Sequence, residues 1–313
     1  MDILILGAGS LGSLLGARLS QKNRVCLFSL DKEHINAIRS RGLIIEELDG
    51  GTSHYKEIET ALSPHQIPFV PELILITLKT YSLENGIRSV RDISSPSTIF
   101  LTLQNGLGNI ETMVRIIPSG QVMAGVTAQG ATLIKGGVVR HGGNGPTYIG
   151  EIDGKPSHRV KEVVRIFNES SLLCEATSNI HALIWRKLLI NIGINAITAL
   201  LGIPNEGISK NPWAREVAKR AVEEGCRICE KEGIPLQQED IFSVVEEVSL
   251  KTGRNISSMR QDIINQHPTE IDAINGAIVR KGEELGIETP INWTLTHLIK
   301  ALEEKARDAK SNK

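Results

Sequence analysis

Residues 3–6 of this chain, Ile-Leu-Ile-Leu, run straight into Gly7-Ala8-Gly9-Ser10-Leu11-Gly12. An apolar run with the character of a buried parallel strand meets a glycine-rich turn. A helical pattern then opens at about Ser10, with Leu11, Leu14 and Leu15 directed at the sheet. In that position G-x-G-x-x-G has mechanical meaning. Gly7 permits the tight turn, Gly9 lets backbone approach a pyrophosphate, and Gly12 lets the helix pack close to the strand. The helix N-terminus offers partial positive charge to phosphates. The spacing alone is a weak signal in a chain with 29 glycines. With the flanking strand and helix it reads as a dinucleotide fingerprint, contacted through Gly7, Ala8, Gly9, Ser10, Leu11 and Gly12.

The first half continues to alternate strand and helix patterns. Val25–Phe28 is a second short strand, followed by a helical stretch through Ile35 and Ile38. Leu43–Glu46 and Gly50-Gly51 suggest a hairpin or irregular insertion. Leu73–Leu78, Ile99–Leu103 and Gln121–Val126 are apolar runs of the kind a parallel sheet buries on both faces. Val138–Arg140 and Thr147–Ile149, separated by the glycine-rich residues 142–145, are expected to form a closing antiparallel pair. Beyond about residue 168 helices take over: His181–Leu201, Trp213–Glu232, Gln238–Lys251, Thr269–Leu285 and residues 291–307, with a lysine-rich tail after 305 expected to fray. Pro204, Pro212, Pro235 and Pro268 fall between these segments or at their starts, where proline is tolerated. The expected architecture is an α/β Rossmann-type doubly wound domain over residues 1–168, followed by an all-α domain over 169–313. The junction between them is the natural place for a substrate.

Composition removes several function classes. The net charge of −1, with Lys and Arg spread along the chain, favours neither a nucleic-acid nor a membrane partner. No uncharged apolar run reaches 18 residues, and a strand starting at residue 2 is not a leader, so a cytoplasmic protein is expected. Four cysteines are too few and scattered for a disulfide scaffold. Cys226 and Cys229 lie in a helical pattern without a second pair or a histidine at metal spacing. They read as core or half-buried thiols, and no metal site is expected.

Ligands of an open parallel sheet bind outside the carboxyl ends of its strands. Lys79 and Asn105 fall there, the latter in Gln104-Asn105-Gly106-Leu107-Gly108; each could equally be a surface turn residue. In the second half, Lys187, Asn191 and Asn195 recur at intervals of four inside an otherwise apolar helix. At 3.6 residues per turn they form one polar stripe drifting by about 40° per step. A lysine in such surroundings must reach a pocket, snorkel to water or bear a large desolvation cost. A charged donor flanked by two amides suits carbonyl reduction: hydride attacks carbon, negative charge grows on oxygen, and the ammonium stabilises it and supplies the proton. Further on, Asn255–Met259 and His267–Asp272 form another polar group. There Thr269 could cap a helix, Asp272 would suit its first turn, and Asn275-Gly276 hints at close packing. By residue type alone, Ser258 and Glu270 are no more than candidates.

The combination resembles the ketopantoate reductase (2-dehydropantoate 2-reductase) family over essentially the whole chain. The matching pieces are GAGSLG at 7–12, TLK at 77–79, QNGLG at 104–108, LIWRKLLINIGINAITAL at 183–200, NISSMRQDI at 255–263 and HPTEIDAINGAI at 267–278. The last three together are far more specific than the glycine fingerprint. The resemblance implies an NADP-binding Rossmann domain, a helical second domain, and NADPH-dependent reduction of 2-dehydropantoate to (R)-pantoate on the route to pantothenate and coenzyme A. It implies Lys187 as general acid, Asn191 and Asn195 as placing substrate and lysine, and Ser258 as holding the substrate carboxylate. Glu270 would accept a hydrogen bond from the substrate hydroxyl or lie against the cofactor. Lys79 and Asn105 would bridge cofactor and substrate, Ala131 would touch the nucleotide through its backbone, and Asn205 would be a further substrate-side amide.

The chain departs from the family pattern in one place. Many members carry an arginine just after the second strand, where it grips the 2′-phosphate of NADPH. Here the segment reads Phe28-Ser29-Leu30-Asp31-Lys32. An acid at the ribose favours a free 2′-hydroxyl, whereas Lys32 could restore phosphate binding, so NADPH is the expected cofactor with NADH its competitor. The rival functions are a related reductase of another branched 2-oxo acid, and a non-catalytic dinucleotide-binding sensor. A homodimer through the helical half is the expected assembly.

Overall fold

The computed structural model describes residues 1–236 and 240–311, with side chains through residue 308. By its contacts the chain divides into two units, residues 1–104 with 109–180, and residues 105–108 with 181–313.

The first unit runs β1 (Asp2–Leu6), α1 (Ser10–Leu19), β2 (Arg24–Phe28), α2 (Lys32–Arg41), β3 (Leu43–Glu46), β4 (Thr52–Tyr55), β5 (Glu59–Ala61), β6 (Leu73–Ile76), α3 (Leu83–Val90), β7 (Ile99–Thr102), α4 (Asn109–Val114), β8 (Val122–Lys135), β9 (Val138–Glu151), α5 (His158–Glu169) and β10 (Cys174–Ala176). One sheet contains all ten strands. Its order is β4-β3-β9-β8-β7-β6-β1-β2-β5, with β10 on β9. From β5 to β8 every pairing is parallel. The chain leaves β1 toward β2 and later returns to the other side of β1 as β6, which creates the switch point where such sheets bind ligands.

Alternation along each strand divides the apolar side chains between two cores. Ile3, Ile5, Leu73 and Leu75 pack on the α1 and α5 face. Leu4, Leu6, Ile74 and Ile76 pack on the face covered by α3 and Met113 of α4. Burial on both faces explains why these strands read as unbroken apolar runs.

The expected closing pair is corrected. Val138–Arg140 and Thr147–Ile149 are two parts of the single strand β9, which pairs antiparallel with β8. Residues 142–145 are not a turn: Gly143 lies opposite Gly130, and a Cβ on Gly145 would come within 2.5 Å of the Ala128 side chain. These glycines allow backbone to approach backbone, and the reversal comes at Gly136-Gly137, where Gly137 has φ +77. The segment after β2 contains the β3–β4 hairpin, and β5, absent from the sequence reading, extends the parallel edge.

The second unit is helical: α6 (Ile180–Leu201), α7 (Gly207–Lys210), α8 (Pro212–Lys231), α9 (Ile241–Lys251), α10 (Ser258–Ile264), α11 (Asn275–Leu285) and α12 (Pro290–Ser311). The helix start expected at Gln238 lies outside the described residues, and α7 and α10 are additions. The helix expected over Thr269–Leu285 is corrected to a single 3-10 turn, Ile271–Ala273, followed by α11. Ile274, at φ −104 and ψ −96, breaks the helical path between them. By length and composition α6 could cross a membrane, but 61% of its apolar window is buried, as in a core helix. A Cβ on Gly225 of α8 would stand 2.4 Å from Leu189 of α6, and one on Gly193 of α6 would meet Val222 and Val245 at 3.0 and 2.9 Å. These glycines thus let α8 and α9 pack closely against α6.

Candidate active site

In the sheet unit, the site begins where β1 ends. The N–H groups of Gly7 and Ala8 both donate to the Phe28 carbonyl, at 3.0 and 2.9 Å, and the Gly9 N–H turns back to Gly7. Gly7, at φ +102, adopts a conformation that L side chains rarely take. The hydroxyl of Thr77 donates to the Gly7 carbonyl at 2.9 Å. A Cβ on Gly12 would lie 2.4 Å from that same carbonyl oxygen and 2.5 Å from the Thr77 hydroxyl. Space above Gly9 is open, with no atom within 4 Å of a Cβ there. Gly9 caps α1 without a side chain, and the N–H groups of Ser10, Leu11 and Gly12 in its first turn have no helical carbonyl to bond. This uncapped helix end beneath an exposed glycine fits a dinucleotide pyrophosphate. The sequence reading gave Thr77 no role; its hydroxyl at a strand end beside the glycine loop was the signal available.

Beyond the strands on either side, Lys79 is half-buried and caps the 3-10 turn Thr80–Ser82. Gln104 ties the ends of β6 and β7 together, its side-chain Nε2 donating to the Leu78 carbonyl at 2.8 Å. Ala131 stands in β8 opposite His141 of β9 and packs on the α1-face core. The loop after β2 presents Leu30 with 79% of its surface exposed. Asp31 is exposed too, but its carboxylate caps α2 by accepting from the His34 N–H at 3.0 Å.

In the helical unit, the stripe on α6 becomes more enclosed along its length: Lys187 and Asn191 are half-buried and Asn195 is buried. Burial pulls the Lys187 ammonium down to about 8, and the carboxylate of Glu270 acts in the opposite sense. Glu270 itself is only 7% exposed. It leads the 3-10 turn, where its carbonyl accepts from the N–H groups of Ala273 and Ile274. The turn containing Asn105 is fastened nearby: the Leu107 N–H donates to the Ala273 carbonyl at 2.9 Å, and a Cβ on Gly106 would stand 2.4 Å from that oxygen. Asn105, Lys187 and Glu270 thus belong to one unit.

The start of α10 is joined to the same stripe. Thr198, eleven positions beyond Lys187, faces within about 20° of it around the helix. Its hydroxyl lies 2.8 Å from that of Ser257, and both residues are buried. Ser257 also caps α10 by accepting from the Arg260 N–H at 3.3 Å. Its neighbour Ser258 is exposed. Asn205 is buried beside the same segment, donating from Nδ2 to the Thr252 hydroxyl at 2.9 Å and from its backbone N–H to the Asn255 carbonyl at 3.1 Å; its Oδ1 has no hydrogen-bond partner among the described residues. Thr198 and Ser257 escaped the sequence reading, although the helical period already placed Thr198 on the polar stripe. Among the cysteines, Cys226 is half-buried and Cys229 buried, and burial pushes the Cys229 thiol up to about 12.

The sequence profile of ketopantoate reductase PanE/ApbA matches residues 3–154, and that of the ketopantoate reductase PanE/ApbA C-terminal region matches 179–303. A 2-dehydropantoate 2-reductase of Pyrococcus horikoshii is 36% identical over 97% of this chain and 98% of its own length. Among solved structures, a D-mandelate dehydrogenase with NADH and anilino(oxo)acetate is 29% identical and covers 98% of this chain and 100% of its own, with a TM-score of 0.93. A PanE/ApbA family ketopantoate reductase from Ralstonia eutropha is 27% identical over 98% of this chain and 100% of its own, with a TM-score of 0.90. With a Rossmann-type sheet, a glycine loop shaped for a dinucleotide and a helical unit carrying the polar stripe, the chain belongs to the ketopantoate reductase family of NAD(P)-dependent oxidoreductases.

Proposed function

We propose that this protein reduces 2-dehydropantoate to (R)-pantoate with NADPH, in the cytoplasm and on the route to pantothenate and coenzyme A. Lys187 is the general acid. The observation that carries this reading is a half-buried ammonium, lowered by desolvation to about 8, on a helix face shared with two amides and acted on by Glu270. Bound at the glycine loop, the dinucleotide supplies the hydride. As the ketone oxygen gains negative charge, the Lys187 ammonium stabilises it and donates a proton, then recovers one from solvent. An ammonium near 8 is still protonated at neutral pH yet gives up its proton more readily than a lysine in water. Asn191 and Asn195 orient lysine and substrate, Ser258 holds the substrate carboxylate, Asn205 is a further substrate-side amide, and Glu270 accepts from the substrate hydroxyl or lies against the cofactor. Lys79 and Asn105 bridge cofactor and substrate, the nucleotide is held through residues 7–12 and Ala131, and residues 169–313 form the substrate-binding and dimerisation domain.

A second reading is favoured by the loop after β2. Leu30 offers no charge to a 2′-phosphate and Asp31 would repel one, and the similar D-mandelate dehydrogenase was solved with NADH. On that reading the protein is an NADH-dependent reductase of another branched 2-oxo acid. Steady-state assays of 2-dehydropantoate and a series of 2-oxo acids, each with NADPH and NADH, separate the two. The first reading requires the highest kcat/KM for 2-dehydropantoate with NADPH. A higher value for another acid or for NADH selects the second, and no turnover with any pair rejects both.

A further inference from the structure

Two successive carbonyls of the glycine loop face side-chain hydroxyls from different elements, one at close and one at long hydrogen-bond distance. Thr77 donates to Gly7 at 2.9 Å, and Ser13 of α1 lies 3.4 Å from the Ala8 carbonyl. The Ser13 hydroxyl is itself held by His34 of α2, whose Nε2 stands 2.9 Å away. On the other side of the ring, Nδ1 accepts the backbone N–H of Gly137 at 3.1 Å, in the reversal between β8 and β9. Ser13 and His34 are 0% and 1% exposed, so no ligand reaches either.

The chemistry gives this chain a direction. The Gly137 N–H can only donate, so Nδ1 carries the lone pair and Nε2 the proton. Nε2–H therefore donates to Ser13, which leaves the serine hydrogen for Ala8. Burial lowers the His34 pKa and so favours the neutral ring that the arrangement requires, while Asp31 acts in the opposite sense. The elements joined are those that meet the adenosine half of a dinucleotide in this fold: the first turn of α1 below the pyrophosphate, and the first turn of α2 beyond the strand end that faces the ribose.

We propose that His34 is a positioning residue for dinucleotide binding: through Ser13 it fixes the Ala8 carbonyl and the start of α1 relative to α2. A glycine-rich loop has many conformations to lose on binding, and a preset hydroxyl removes part of that cost before the ligand arrives. His34 touches neither cofactor nor substrate. The proposal rests on dinucleotide binding at the glycine loop, and does not depend on which 2-oxo acid is reduced.

The test is fluorescence titration of NADPH and of NADH into wild type, Ser13→Ala, His34→Phe and the double variant, with kcat measured at saturating cofactor. Each single variant should weaken dinucleotide binding by about three- to tenfold, the scale of one lost hydrogen bond. The double variant should be no weaker than His34→Phe, because both changes cut one chain. kcat and the KM for the 2-oxo acid should move less than about twofold. If His34→Phe does not fold, Ser13→Ala decides, being a small deletion that leaves the His34–Gly137 bond in place. Unchanged dinucleotide affinity in folded Ser13→Ala, or equal losses in kcat and affinity, would overturn the proposal. So would a ring nitrogen NMR spectrum of wild type that places the His34 proton on Nδ1. Failure of wild type to bind either dinucleotide would instead overturn the reading of the glycine loop.

Discussion

Around the glycine loop of the sheet unit, polar groups hold backbone: Thr77 grips the Gly7 carbonyl and Phe28 takes two N–H groups. In the helical unit, the polar groups of the stripe are side chains on one face of a largely buried helix, and one is an ammonium shifted by desolvation. The first arrangement shapes a cradle from the main chain, where glycine matters because it lacks a Cβ. The second keeps polar side chains, one of them charged, in costly surroundings. The difference teaches that substitutions in the two units should fail in separable ways. Changes at the loop should alter dinucleotide affinity, and changes on the stripe should alter the rate of chemistry.

The largest effect should come from the stripe. Lys187→Ala should lower kcat by about 10²- to 10⁴-fold, the scale of a positioned acid, with dinucleotide affinity within about twofold in a titration without substrate. Equal losses in both would break the division of labour. Next comes the loop. Gly12→Ala places a Cβ against the Gly7 carbonyl at 2.4 Å, a backbone atom that cannot swing away. NADPH binding should weaken about 10- to 100-fold while kcat at saturation falls far less.

Glu270→Gln sharpens the helical side. It removes the charge that opposes desolvation of Lys187, so the ammonium should drop below about 8 and the alkaline fall in rate should begin at lower pH. An unmoved or higher limb would show that Glu270 does not act on the lysine. The smallest effect is expected at an exposed position. Leu30→Arg should shift the kcat/KM ratio toward NADPH by about three- to fivefold, since a solvent-screened charge contributes little. An unchanged ratio would remove position 30 from cofactor choice.

The parallel strands were legible because burial on both faces leaves unbroken apolar runs, and the α6 stripe because its period survives in the sequence. Two misreadings share a physical origin. The glycines at 142–145 look like a turn, but they permit close pairing within β9, a role set by the partner strand. The Thr269–Leu285 pattern has helical spacing, yet its start is a 3-10 turn whose Ala273 carbonyl is committed to Leu107, more than 150 residues earlier. Glu270 was ambiguous for the same reason: a first-turn acid is ordinary, and its burial depends on distant packing. Of the adjacent serines, the resemblance singles out Ser258, whereas the buried contact to α6 is made by Ser257.

Lys187 as proton donor is tested most directly by the pH dependence of single-turnover reduction of 2-dehydropantoate, with NADPH saturating, in wild type and Lys187→Ala. Donation requires the ammonium, so the wild-type rate should be level below about 8 and fall as pH rises through it. The variant should be slow throughout and lack that limb. A variant that retains both the wild-type rate and its alkaline limb would contradict the account.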